Sequence, residues 1–106
     1  MTVSFRLRGQ EFLTLNGGSP LNFTEAVSFI VNCADQEEVN RYRNELSEGG
    51  VEDRCGWLKE KFGVSWQIVP DALPELLQDK KSRKAERVMQ AMLAMKKLDI
   101  KALKAA

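Results

Sequence analysis

Apolar and polar residues alternate at the start of the chain, where Val3, Phe5 and Leu7 are interleaved with Ser4, Arg6 and Arg8. This is the period of a half-buried strand. Gly9-Gln10 offers a turn, and "EFLTLN" (11–16) returns as a partner strand. "GGSP" (17–20) breaks the pattern and reads as a loop. In "EAVSFIVNC" (25–33), β-branched and aromatic residues predict a third, well-buried strand.

A helix follows. Asp35 is its candidate N-cap, Glu38 completes a capping box, and Val39, Tyr42 and Leu46 form one apolar stripe. Gly49-Gly50 supplies the stop. "RCGWLKE" and "VSWQIVP" then alternate as two strands joined through "KFG", with Pro70 ending the second. "PDALPELLQD" (70–79) predicts a short helix. Ser82 can cap a longer one striped by Ala85, Val88, Met89, Met92 and Met95. Asp99 can cap a last turn, "IKALKAA". The order is an α+β one: a β-hairpin over 1–16, a βαβββ module over 25–70 with room for a short strand near 50–53, and a helical tail over 71–106. No repeat, low-complexity tract or linker divides it.

Composition narrows the function. A length of 106 residues holds one domain at most, and no apolar run approaches the roughly 18 residues that cross a bilayer. The N-terminus lacks the apolar stretch of a signal peptide, so a cytoplasmic protein is expected. Cys33 and Cys55 lack metal or redox spacing and read as reduced thiols. Histidine is absent, which removes the usual general base and the commonest metal ligand. With no activating histidine, Cys55 reads as an inert thiol. Residues 1–78 carry 7 basic and 12 acidic side chains, residues 79–106 carry 9 and 3. A basic tail beside an acidic body predicts contact between the two, within one chain or across two. The basic residues lack interleaved aromatics, so no nucleic-acid partner is expected, and no membrane.

"FLTLNGG", "AVSFIVNC", "EEVNRYRNELSEGG", "CGWLKEKFGVSWQIVP" and "AERVMQAMLAMKKLDI" occur in that order. Together they resemble the family labelled 3-demethylubiquinone-9 3-methyltransferase, of the vicinal oxygen chelate superfamily that includes glyoxalases and bleomycin-resistance proteins. The resemblance runs from about Thr2 to Ile100 and implies a glyoxalase-like fold. Relatives carry a further strand and helix ahead of Thr2. The resemblance therefore implies one complete βαβββ module and the closing hairpin of another, with a ligand cup that is incomplete in a lone copy.

Carried over residue by residue, the superfamily's metal ligands fall on Gln67, Ala26 and Thr14. An amide, a methyl and a hydroxyl make no metal site, so neither metal nor cofactor is expected. Methyl transfer lacks support too, because Gly17-Gly18 leads to a proline and Gly49-Gly50 closes a helix instead of opening one. If Gln67 faces the concave side, alternation places Ser65 and Val69 beside it and sends Trp66 to the opposite, core-forming face. Trp57 is then the better ligand candidate. The expectation is a homodimer with exchanged elements, binding a small organic molecule on a face lined by Thr14, Ser28, Trp57 and Gln67. Two rivals stay open: an enzyme acting on a quinone-like or other small substrate, and a structural fragment with no ligand.

Overall fold

The computed structural model of the chain describes residues 2–15, 22–78 and 83–106. Strands β1 (Thr2–Leu7) and β2 (Gln10–Leu15) pair antiparallel in a sheet of their own, with Phe5 opposite Phe12 and Val3 opposite Thr14. Their turn is Arg8–Gly9, one residue earlier than the sequence suggests. Both residues have positive φ, 50° and 79°. A two-residue hairpin needs that handedness to match the strand twist, and glycine supplies it without strain.

The second sheet holds β3 (Ser28–Cys33), β4 (Val51–Glu52), β5 (Trp57–Lys59) and β6 (Ser65–Pro70), in the order β3-β6-β5-β4. β3 and β6 run parallel, and the other pairs are antiparallel. With helix α1 (Gln36–Ser47) between β3 and β4, this is the expected βαβββ unit within an α+β chain. β3 begins three residues later than predicted, because the Thr24 hydroxyl accepts from the Ala26 amide and holds a turn there. β5 is shorter than "RCGWLKE" because Cys55 and Gly56, at φ 59° and 84°, turn the chain immediately before it.

α1 forms as its sequence signals require. Asp35 accepts from the Glu38 amide at 2.9 Å, while the Glu38 carboxylate reaches back to Ala34 N, one residue beyond the usual capping-box target. Gly49 ends the helix region at φ 76°. Val39 packs into a buried cluster with Cys33, Leu58 and Ile68, bordered by Val31, Tyr42, Leu46 and Trp66. Fully burying each of these aliphatic side chains contributes about 1.5–3 kcal/mol. Arg43 shares the helix's inner side and is fully buried, bonded to Glu52 at 2.8 Å and to the Asp53 carbonyl at 2.9 Å.

The tail comprises α2 (Ala72–Leu77), α3 (Lys84–Leu93) and α4 (Ile100–Ala105). Asp99 caps α4 by accepting from the Ala102 amide at 3.2 Å. The cap expected at Ser82 lies outside the described residues. Leu73, Val88, Leu98 and Leu103 form a second core against which Val69 of β6 packs. The tail is tied to the body by polar bonds as well. Cys55 N donates to Met95 O, Gly56 N to Lys96 O, and Gln36 both donates to Leu98 O and accepts from Ile100 N. The ion pairs Arg43–Glu52 and Lys59–Glu25 lie within the body, while main-chain bonds, the Gln36 side chain and apolar packing join the tail to it. Among the described residues no helix is long and apolar enough to cross a membrane.

Candidate functional site

Strand alternation divides the four-stranded sheet into two chemically different faces. Ile68, Leu58 and Cys33 point toward α1 and are buried. Trp66 shares that side, its ring 5.2 Å from Phe29, but it is half-buried instead of sealed in the core, and its indole N–H lies buried without a hydrogen-bond partner. The other face carries Trp57 and Lys59 on β5, Ser65 and Gln67 on β6, and Ser28 and Ile30 on β3. Among the described residues no helix covers its centre, and Ile30 is 57% exposed.

Three of the four residues singled out from sequence meet on this open face. Gln67 stands directly opposite Trp57 in the β5–β6 register, and its amide nitrogen donates to the Ser28 hydroxyl at 2.9 Å. That bond orients the amide, and among the described residues its oxygen has no hydrogen-bond partner. Trp57 helps line a recess of ≈ 570 Å³ with Glu25, Arg54, Lys59 and Ser65. Ser28 and Gln67 adjoin that recess on the same face.

Thr14 does not join them. It sits on β2, where its hydroxyl donates to the Val3 carbonyl at 3.1 Å. The hairpin meets the body elsewhere, through Phe12 edge-on to Phe29 at 5.9 Å. Phe12 lines the groove between hairpin and body together with Tyr42 and Trp66, on the helix side of the sheet. Ala26 contributes a methyl in an exposed turn. The residues at the superfamily's ligand positions thus supply one amide oxygen and no second donor near it, and do not fit a metal ion. Among the described residues no group of three or more His, Cys, Asp and Glu side chains is placed to hold one.

Lys59 and Glu25 were not foreseen as site residues. Lys59 was legible, since it lies two residues beyond Trp57 and must share its face. Glu25 was not, because its approach to Lys59 at 3.5 Å depends on how the turn before β3 folds back. The thiols differ in setting. Burial, helped by the nearby carboxylates of Glu38, Asp71 and Asp35, raises the Cys33 thiol to about 11, so it stays protonated at neutral pH. Cys55 is half-buried at the edge of the recess.

A model of the family described as 3-demethylubiquinone-9 3-methyltransferase matches residues 1–69. The chain belongs to this family. The methyltransferase-labelled family's match ends within β6, so α2–α4 lie beyond it. Among solved structures, the chain is similar to a PhnB protein from Bacillus cereus that carries the same methyltransferase label. It is 30% identical with a TM-score of 0.61, covering 66% of this chain and 64% of that one. Protein PA1353 from Pseudomonas aeruginosa, 19% identical with a TM-score of 0.52, shares the fold over 67% of this chain and 64% of its own. The chain thus spans less than two thirds of each structure's length. Among curated proteins no sequence match is found. The family and the α+β architecture are consistent with a vicinal oxygen chelate, glyoxalase-like fold.

Proposed function

We propose that this family member is a small-molecule-binding protein of the vicinal oxygen chelate type that works without the superfamily's metal centre. The observation that carries this reading is the open sheet face, where Trp57, Gln67 and Ser28 converge beside a recess of ≈ 570 Å³. Binding sites pair apolar surface with a few oriented polar groups. Here Trp57 offers the flat surface, and the Gln67–Ser28 bond fixes an amide oxygen and a hydroxyl toward the ligand. Two free thiols suit a reducing compartment, and we place the protein in the cytoplasm.

The same reading includes a homodimer. Among the described residues no element roofs the open face, and the hairpin that carries Thr14 forms a separate sheet. A second copy whose hairpin lies with its outer side over this face covers apolar residues such as Leu13 and Leu15, 67% and 73% exposed.

A fragment screen by ¹H–¹⁵N NMR, with neutral, cationic and anionic compounds, tests the binding claim. Hits are expected to move the Trp57 indole and Gln67 side-chain signals together. A full screen without a shift on the open face would overturn the reading. Elemental analysis after exposure to zinc, nickel or manganese is expected to find no stoichiometric metal. About one ion per chain, lost on Gln67→Ala, would refute the metal-free assignment.

A further inference from the structure

We infer that the open face selects a planar organic anion, an aromatic carboxylate in chemical class, with Lys59 as its charge anchor and Glu25 as the group it displaces. This inference rests on the small-molecule reading above and adds the ligand's charge and shape.

The geometry starts from β5. Trp57 and Lys59 lie two residues apart on one face, a separation of about 6.6 Å along an extended strand. That span is close to the distance from an aromatic ring's centre to a cation paired with a carboxylate carried on the ring. A ring stacked on Trp57 therefore sets its carboxylate beside the Lys59 ammonium. Both side chains line the same ≈ 570 Å³ recess, with Ser65 opposite Lys59 across the strand pair.

The charges of the recess favour exchange. Lys59 is 46% exposed and pairs with Glu25, itself 68% exposed, at 3.5 Å. Exposed pairs of this length hold weakly, so an incoming carboxylate replaces Glu25 at little cost. Asp53, the other acid at the recess, accepts from the Arg54 amide at 2.7 Å, and the Arg54 side chain lines the same wall. Lys59 is the cation that shares a strand and a face with Trp57. Beside the ring, the Gln67 amide oxygen, oriented by the amide's bond to Ser28, can accept from a hydroxyl on the ligand.

NMR titration of the full chain with 2-naphthoate, 6-hydroxy-2-naphthoate and the uncharged 2-naphthalenemethanol tests the inference. The naphthoates are expected to shift Trp57, Lys59 and Ser65, and the hydroxylated probe to shift Gln67 further. Lys59→Gln, a substitution at a half-exposed position, is expected to weaken naphthoate about fivefold and leave the alcohol unchanged. Glu25→Gln is expected to strengthen naphthoate about twofold, because it removes the competing carboxylate. Equal affinity for acid and alcohol, or a Lys59→Gln protein that binds naphthoate as well as the parent, would overturn the anion assignment while leaving the face a ligand site. Failure of every naphthalene probe would also overturn it, and the neutral and cationic arms of the fragment screen decide the broader reading separately.

Discussion

At the scale of single residues, Cys33 and Arg43 show how burial changes what a side chain does. The Cys33 thiol is held near 11 in the folded protein against 9.0 for the free group. Below pH 9 it is protonated in both states. Between pH 9 and 11 the unfolded chain loses this proton first, so stability falls as pH rises through that window. The decline follows from the proton that the folded state holds and the unfolded chain has lost. Urea unfolding at pH 8 and pH 10.5 should show the decline, and Cys33→Val should flatten it. Arg43 is a polar residue at the centre of the α1–sheet contact. Its Nη1 is buried without a partner, while its other groups hold Glu52 and the Asp53 carbonyl. Arg43→Ala removes volume and two charge-assisted bonds and should cost about 2–4 kcal/mol by urea midpoint. Glu52→Gln should cost about 1–3 kcal/mol, since the amide can still accept from Arg43 but leaves that fully buried charge uncompensated.

At the scale of elements, the joint between body and tail depends on one glycine and one glutamine. A Cβ at Gly56 would stand 2.8 Å from the Ile68 carbonyl and 3.0 Å from Leu98, at a φ of 84° that other residues rarely adopt. Gly56→Ala should therefore destabilise by about 2 kcal/mol or more and spread the tail from β6, visible as faster exchange of the Ile68 amide, which Gly56 O accepts. Gln36 ties the first turn of α1 to Leu98 and Ile100. Gln36→Ala should speed hydrogen exchange at Ile100 without altering β3–β6, and unchanged exchange there would show that apolar packing alone holds α4. The elements themselves were legible. Asp35 and Asp99 cap helices as read, and the period-2 run "VSWQIV" put Ile68 inside and Gln67 outside. Element ends were less legible, because Arg8 and Cys55 enter left-handed conformations that side-chain type does not announce.

At the scale of the whole molecule, the chain is drawn out to 53 × 27 × 24 Å, with a radius of gyration of 16.1 Å. A compact domain of this length has a radius of gyration near about 13 Å. The hairpin and the open face account for the excess, since β1–β2 form a separate sheet with apolar residues exposed on both faces. A two-stranded ribbon is marginal by itself in water. Sedimentation equilibrium at micromolar concentration and physiological salt should therefore report twice the chain's 12.0 kDa. Leu13→Lys with Leu15→Lys should shift the balance to monomer. A folded parent monomer that persists at that concentration would sink the dimer.

Local signals in the sequence determined most of the elements, the family and the sidedness of β6, because capping and strand alternation act over a few residues. What required the tertiary structure were the encounters between distant segments. Gln67 meets Ser28, thirty-nine positions away, through parallel pairing of β3 with β6, and Lys59 meets Glu25 through a turn that no period encodes. Thr14 sat on the expected strand, yet the structure put its hydroxyl on Val3 and its ribbon against Phe29. A residue's face follows from its own strand, but its neighbours follow from where that strand docks, and docking is decided by packing across the entire chain.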